Sequence, residues 1–266
     1  MKMNLVTVVA SLSIVATIVW IIGLGMTIND QLLQESSAGS PPASTSDEAE
    51  QSSDTFLLAL GDSLTRGTGD LQGQGYVTYL LDELKSRSDQ SIQLSNLAVR
   101  GYTSEELLNQ LEQTEIQRQI AQADMIFMTI GGNDLFQGGQ ALSVDSAFII
   151  ENSTETYLEN LEEIYSAIES ANGDTTVYHL GLYNPFNQLD GAEMTSSAVR
   201  NWNNESAEIA AKFDHVVFVP TYDLFQLDVN DFIYSDQFHP NNEGYQLIGR
   251  RLAALITLNE GGEGDE

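Results

Sequence analysis

Cysteine is absent from the 266 residues of this chain, and basic residues are scarce. The first absence excludes disulfides, thiol catalysis and thiolate metal sites. Ten lysines and arginines stand against 39 aspartates and glutamates, which gives a net charge of −29. Such a charge repels nucleic-acid phosphates, so we expect no nucleic-acid partner. The acidity fits adaptation to salt or to alkaline surroundings, and it fits neutral drift equally well.

Charged residues are also absent from the 22 positions of 5–26. An apolar helix of this length spans a hydrocarbon core of about 30 Å. Lys2 precedes the run and acids follow it, a bias that favours an inside N-terminus and an outside remainder. A cleavable signal has a shorter apolar core. The pattern therefore favours an uncleaved signal-anchor over residues 1–28, in the cell membrane with the rest of the chain outside. Cleavage of this segment, with secretion, is the alternative.

Composition divides the remainder into three parts. Residues 29–54 are rich in serine, alanine, glutamine and acids and include two prolines, which is typical of a flexible linker. Residues 259–266 form an acidic tail that we expect to be disordered. Residues 55–258 alternate short apolar runs with amphipathic segments, so they form the predicted folded domain.

That alternation predicts an α/β fold with a parallel sheet covered on both faces. A capping box between Thr103 and Glu106 should begin the second helix. The predicted strands cover 55–60, 91–97, 124–130, 175–182 and 215–219, and the predicted helices lie near 76–87, 104–121, 152–171, 195–212 and 242–258. In such sheets, sites form where loops leave the carboxyl ends of the strands.

Four short clusters are candidates for that site. They are Gly-Asp-Ser-Leu at 61–64, Asn-Leu-Ala-Val-Arg-Gly at 96–101, Gly-Gly-Asn-Asp at 131–134 and Asp-Gln-Phe-His-Pro at 236–240. The first lacks the glycine and lysine spacing of a phosphate loop. Taken alone, each cluster also fits an ordinary turn or helix cap.

A serine nucleophile needs a histidine base and usually a carboxylate to orient it. Of the three histidines, His179 lies in an apolar strand run and fits a core position, while His215 opens a strand and fits the surface. His239 lies in a loop, three residues after Asp236, so the two side chains could meet across one turn. A helix N-terminus is the competing interpretation of that pair.

Acyl transfer also needs donors aimed at a developing oxyanion. The Asn133 side-chain amide and the Gly101 backbone N–H are candidates, because both follow predicted strands. Four such clusters in one order along the chain are much less plausible as unrelated turns than any one of them alone.

Taken together, these clusters resemble the SGNH hydrolases, also called GDSL esterases and lipases, over the whole of 55–258. The resemblance implies Ser63 as nucleophile, His239 as base and Asp236 as orienting acid. It also implies an oxyanion hole from the Ser63 and Gly101 backbone N–H groups and the Asn133 amide, without metal or organic cofactor. The second cluster departs from the family pattern, since Ala98 replaces its first glycine. We further expect Asp62 and Asp134 to support the site.

The resemblance implies a three-layer α/β/α sandwich with a five-stranded parallel sheet of flavodoxin-like order. The anchored arrangement, together with Gly-Leu-Tyr-Asn-Pro-Phe at 181–186, further resembles membrane-tethered Gram-positive members. Within 136–151, either Phe136 or Phe148 is expected to border an acyl pocket, with core packing as the alternative for each.

Three functions remain open at this point. The first is hydrolysis of lipid or short acyl esters outside the membrane, and the second is removal of acetyl groups from cell-wall carbohydrate. The third is a tethered binding protein without turnover, against which the complete set of catalytic residue types argues. The partners expected are therefore a small-molecule or lipid ester and, through the N-terminal helix, a membrane.

Overall fold

A five-stranded parallel sheet forms the centre of the protein. The computed structural model describes residues 55–136, 146–188 and 191–258, with 146–151 described by their backbone alone. The strand order is β2-β1-β3-β4-β5, and every neighbouring pair is parallel. This confirms the predicted parallel sheet and its flavodoxin-like order. The strands are β1 (Thr55–Gly61), β2 (Ile92–Asn96), β3 (Met125–Thr129), β4 (Thr176–Leu180) and β5 (Val216–Val219).

Helices connect the strands. In the described ranges, the six longest of them contribute core residues that pack on the sheet. The helices are α1 (Ser63–Arg66), α2 (Gly75–Lys85), α3 (Ser104–Leu111), α4 (Thr114–Ile120), α5 (Gly132–Phe136), α6 (Ser146–Ala171), α7 (Ala192–Ala210), α8 (Val229–Phe232) and α9 (Asn242–Ala253), with a 3-10 turn at Tyr222–Phe225.

Both faces of the sheet are covered, which makes three layers. Side chains alternate along a strand. Leu57 and Ala59 therefore pack with apolar residues of α2 and α9, and Leu58 and Leu60 pack with those of α3, α4, α6 and α7. All four are fully buried, because β1 is flanked by β2 and β3 and covered on both faces. This explains why the strand is continuously apolar.

The single helix predicted over 104–121 is wrong, because the chain forms two helices, α3 and α4, there. At 100° per residue, one straight helix would place Ile116 about 180° from Leu107, on the opposite side. Gln113 has extended backbone angles instead. The break lets Leu107 and Ile116 both reach the same core. The predicted capping box is present, since Glu106 accepts from the Thr103 backbone N–H at 2.8 Å.

Among the described residues, no helix combines the length and the apolarity needed to cross a membrane. The predicted anchor over 1–28, the linker over 29–54 and the tail over 259–266 lie outside the described residues. Those three assignments stay predictions.

Candidate active site

The candidate site lies at the carboxyl edge of the sheet. Because β1 stands between β2 and β3, the loops that follow these three strands are neighbours. The turn that precedes α9 meets them there and encloses a cavity of about 520 Å³. The five residues predicted for the triad and the oxyanion hole all line this cavity: Ser63, Gly101, Asn133, Asp236 and His239.

A tight strand-to-helix turn presents Ser63 to the cavity. Gly61 has a φ of +111°, and a Cβ there would lie 1.9 Å from the Thr129 carbonyl oxygen. Only glycine fits this close approach, which lets the Asp62 N–H donate to the same carbonyl at 3.1 Å. Asp62 then caps α1, since its Oδ1 accepts from the Leu64 N–H at 3.0 Å. Ser63 is thus fixed at the first position of α1.

Two short hydrogen bonds link serine, histidine and aspartate. Ser63 Oγ lies 2.7 Å from His239 Nε2, and Asp236 Oδ2 lies 2.7 Å from His239 Nδ1. The second carboxylate oxygen of Asp236 accepts the backbone N–H groups of Phe238 and His239, each at 3.0 Å. Partial burial acts to raise the pKa of Asp236, but these hydrogen bonds outweigh it and hold the pKa below its usual range. Asp236 is therefore a charged acceptor that fixes the imidazole.

Three donors face the cavity beside Ser63. The Asn133 amide nitrogen donates one hydrogen to the Tyr102 carbonyl at 2.8 Å, and its second hydrogen is left for a ligand. Within the described chain, the backbone N–H groups of Ser63 and Gly101 donate to no protein acceptor. Gly101 has a φ of +83°, with open space where a Cβ would stand. These three N–H groups can donate hydrogen bonds to an oxyanion bound between them.

Asp134 joins two of the loops that supply these donors. Its carboxylate accepts the Ser104 N–H at 3.0 and 3.1 Å and also accepts the Ser104 hydroxyl. Ser104 begins α3, directly after the Gly101 turn, while Asp134 lies in α5 beside Asn133. Burial raises the pKa of Asp134, and the Ser104 hydrogen bonds oppose that effect. The Asp134 carboxylate therefore ties the turn that carries the Gly101 N–H to the helix that carries the Asn133 amide.

A chain of buried hydroxyl groups supports Asp62 from below. The Thr129 hydroxyl donates to Asp62 Oδ1 at 2.6 Å. Thr129 Oγ1 also lies 2.7 Å from Thr65 Oγ1, which lies 2.7 Å from the Tyr76 hydroxyl. Because Thr129 spends its only proton on Asp62, the other two hydroxyls donate in the same direction. Thr65 is fully buried in this network and does not line the cavity.

Burial dominates the electrostatics of Asp62. The residue is 1% exposed, and its Oδ2 has no hydrogen-bond partner among the described residues. Desolvation raises the pKa of Asp62 to about 7, although the hydrogen bonds from Thr129 and Leu64 lower it. Asp62 therefore changes its charge near neutral pH, directly beside the candidate nucleophile.

An aromatic wall forms one side of the cavity. The ring of Phe136 contacts those of Phe186 and Phe238, with centroids 5.3 and 5.6 Å apart. Phe136 borders the cavity as predicted, and the side chain of Phe148 lies outside the described ones. Sequence reasoning missed the other two phenylalanines, although both lie inside motifs that it quoted. Thr68, Arg100 and Gln237 also line the cavity and were missed.

The other two histidines lie away from the cavity. His179 is buried in β4, and its Nδ1 is hydrogen bonded to the Tyr165 hydroxyl, as its predicted core position implies. Burial lowers the pKa of His179 to about 4. His215 was expected on the surface, and that is wrong, since its side chain is 9% exposed and packs edge-on against Phe213.

Comparison with known proteins identifies a family. Residues 59–247 match the model of the GDSL-like lipase/acylhydrolase family. The chain is 34% identical over 208 residues to the uncharacterized protein YpmR of Bacillus subtilis, covering 75% of this chain and 80% of that protein. It is 27% identical over 202 residues to the spore germination lipase LipC of Bacillus licheniformis, covering 74% and 93%.

Solved structures share the fold. The lipase Lip_vut3 from a goat rumen metagenome superposes with a TM-score of 0.69 at 24% identity, covering 75% of this chain and 96% of that one. The acetylxylan esterase Axe2 of Geobacillus stearothermophilus gives 0.58 at 19% identity, covering 77% and 95%. With the family model matched over most of the described residues, the chain belongs to the GDSL-like lipase and acylhydrolase family and is a carboxylic-ester hydrolase.

Proposed function

We propose that the protein hydrolyses lipid or short acyl esters through a Ser63-His239-Asp236 triad and an acyl-enzyme. The observation that carries the proposal is the unbroken line of two 2.7 Å contacts from Ser63 Oγ through both imidazole nitrogens to Asp236. A nucleophile, a base and an orienting acid in this geometry are what acyl transfer to serine requires. In Axe2, variants described as catalytic mutants likewise replace a serine, a histidine and an aspartate.

In the first half of the reaction, His239 Nε2 takes the Ser63 proton while Oγ attacks the ester carbonyl carbon. The carbonyl oxygen becomes an oxyanion, which accepts hydrogen bonds from the N–H groups of Ser63 and Gly101 and from the Asn133 amide. Asp236 stabilises the imidazolium that forms. The imidazolium then donates its proton to the leaving alcohol, and the carbon–oxygen bond to that alcohol breaks. The acyl group remains on Ser63.

In the second half, water takes the place of the alcohol. His239 removes one proton from it, the hydroxide oxygen attacks the acyl carbon, and the same three donors stabilise the second oxyanion. Collapse returns the proton to Ser63 Oγ and releases the carboxylic acid. The free enzyme is regenerated without any added cofactor.

The aromatic wall supports an apolar acyl group. Phe136, Phe186 and Phe238 give the cavity an apolar face against which an alkyl chain can pack. Each Å² of apolar surface removed from water there would stabilise the complex by about 25 cal/mol. Phe238 also packs edge-on against the His239 ring, with centroids 5.0 Å apart. The acyl carbon would therefore lie close to the base. Outside the membrane, tethered by residues 1–28, such an enzyme would act on esters at the cell surface.

Removal of acetyl groups from cell-wall carbohydrate is the second candidate. A cavity of about 430 Å³ adjoins the catalytic one, and Gln237 lines both. Its described lining carries amides, a hydroxyl and an aromatic ring without a charged side chain, from Gln188, Asn230, Tyr234 and Ser235. Amides offer the paired donors and acceptors that sugar hydroxyls match.

Replacement of the triad tests the proposed chemistry. Ser63→Ala and His239→Ala should each lower kcat on 4-nitrophenyl butyrate by about a thousandfold or more, because nucleophile and base act as a unit. Asp236→Asn should cost less, because the nucleophile and the base both remain. His215→Gln is the matched control, since His215 lies at the opposite, amino end of β5. Full activity in His239→Ala together with loss in His215→Gln would overturn the assignment.

A substrate profile separates the two candidates. Wild-type kcat/KM is measured on butyryl and octanoyl esters and on acetylated xylooligosaccharides. We expect the acyl esters to be preferred by about tenfold or more, a difference of about 1.4 kcal/mol in transition-state binding. The reverse preference would favour the carbohydrate esterase instead.

A further inference from the structure

Arg100 stands out among the arginines of this acidic protein. Arg87, Arg118, Arg250 and Arg251 each form an ion pair with a carboxylate. Arg100 is exposed, and no carboxylate within the described ranges pairs with it. Arg66 and Arg200 also have no carboxylate partner among the described residues, but neither of them lines the catalytic cavity. Its position gives the feature a functional meaning.

Arg100 lines the catalytic cavity. It immediately precedes Gly101, whose N–H is one of the proposed oxyanion donors. The described lining contains one carboxylate, Asp236, and its two oxygens are already occupied by His239 and by two backbone N–H groups. Arg100 is therefore the charge in this lining that has no counterion.

We infer that Arg100 binds an anionic group, a phosphate in the first instance, on the alcohol half of the ester. The inference rests on the proposed function and extends it to a substrate class. With the acyl chain against the phenylalanines, the alcohol half extends towards the cavity rim, where Arg100 is exposed. A planar guanidinium offers paired N–H donors that match the oxygens of a phosphate.

The charge of the whole molecule strengthens the inference. Residues 55–258 carry a net charge of −20, and such a surface repels an approaching anion. A neutral ester would need no cation at the mouth. An anionic ester needs at least one local positive charge to offset the field of the domain, and Arg100 supplies it at the site of reaction.

A matched pair of soluble substrates tests this in the full-length protein. The pair is 1-butyrylglycerol and 1-butyrylglycerol 3-phosphate, which differ only in the phosphate. The measured quantity is the ratio of kcat/KM for the phosphate ester to kcat/KM for the neutral ester. Arg100→Gln should lower this ratio about tenfold, since a charge-assisted contact of this kind contributes about that factor. Arg100→Lys should give an intermediate ratio.

Arg200→Gln is the control, because Arg200 stacks over Tyr222 and does not line the cavity. Its ratio should equal that of the wild type. Added salt weakens the repulsion by the acidic surface in both proteins, so it should raise the ratio of Arg100→Gln, and it should raise the wild-type ratio less because it also weakens the Arg100 contact. The same ratio is then measured for the dodecanoyl versions of both esters. If the anion belongs to a lipid, the ratio should be higher for the dodecanoyl pair than for the butyryl pair. If it belongs to a soluble ester, the ratio should not increase with chain length.

The outcomes separate the inference from the proposed function. An equal ratio in wild type and Arg100→Gln, with both esters hydrolysed, overturns the inference alone. If the wild-type protein hydrolyses neither ester nor 4-nitrophenyl butyrate, the proposed function fails. A ratio that falls in Arg200→Gln as strongly as in Arg100→Gln also overturns the inference, because the effect is then one of net charge.

Discussion

At the scale of single residues, Asp62 combines two properties with opposite effects on its charge. It caps the helix that begins with Ser63, which favours a negative charge, and it is buried, which disfavours one. Burial prevails and raises its pKa to about 7, from an ordinary value of 3.8. The proton on Asp62 therefore links the pH of the medium to the stability of the fold.

The sign of that link can be predicted. A raised pKa in the folded state stabilises the protein fully below pH 3.8, and this contribution is lost as the pH rises through about 7. This rise in the pKa of Asp62 corresponds to about 4 kcal/mol in the free energy of unfolding. Asp62→Asn cannot ionise and should lack this loss. We expect denaturant titrations between pH 4 and 8 to show wild type weakening relative to Asp62→Asn as the pH increases.

Both proteins in that comparison share His179, whose lowered pKa has the opposite effect. Its neutral form is favoured in the folded state, so stability is complete above pH 6.5 and falls as the pH drops towards 4. The difference between the two titrations cancels this contribution. A difference that stays constant from pH 4 to 8 would show that Asp62 has an ordinary pKa.

At the scale of elements, helix α3 is held at its N-terminus by two carboxylates with different neighbours. Asp134 reaches Ser104 from α5, whereas Glu106 belongs to α3 itself, is exposed and accepts from Thr103. Both satisfy backbone N–H groups of the first turn. Only the first connects the Gly101 turn to the loop of Asn133.

Mutations of the two carboxylates should therefore have different effects. Asp134→Ala should lower kcat by about tenfold to a hundredfold, because the oxyanion donors lose their fixed spacing, with a smaller change in KM. Asp134→Asn should recover part of that loss, since its amide oxygen still accepts from Ser104. Glu106→Ala, the matched control, should lower the free energy of unfolding by about 1 kcal/mol and leave kcat intact. Equal kcat losses in Asp134→Ala and Glu106→Ala would show a general effect on the helix.

Elements were predicted best where one periodicity dominates. The five strands were found because each is a short apolar run, and their order followed from the resemblance. The break between α3 and α4 was missed, although the phase shift between Leu107 and Ile116 is visible in the sequence. No proline or glycine marks the break, so only the requirement that both residues reach one core reveals it.

At the scale of the whole molecule, we expect the anchor and linker to be separable from the enzyme. All five residues of the proposed triad and oxyanion hole lie between 63 and 239. A protein that begins at residue 55 should be folded, soluble and as active per site as the full chain in detergent. Circular dichroism and kcat/KM on 4-nitrophenyl butyrate check this. Aggregation or lost activity of the shorter protein, with activity retained by the full chain, would make the anchor part of the enzyme.

The candidate site shows where sequence reasoning ends. Motifs in loops predicted Ser63, Asn133 and His239, because the carboxyl ends of neighbouring parallel strands must meet. They did not predict the burial of Thr65 or the unpaired state of Arg100. Both depend on the direction in which one side chain leaves the backbone, from the four-residue helix α1 for Thr65 and from a turn for Arg100, and no periodicity records that direction.

The separation of Ser63 and His239 by 176 residues has a consequence for synthesis. Ser63 and its turn leave the ribosome early, and the oxyanion donors Gly101 and Asn133 follow. A nascent chain shorter than about 240 residues nevertheless has no base for that serine, and its hydroxyl stays a weak nucleophile. Ester hydrolysis can therefore begin only when almost the whole chain has been made and the turn before α9 has folded against the sheet.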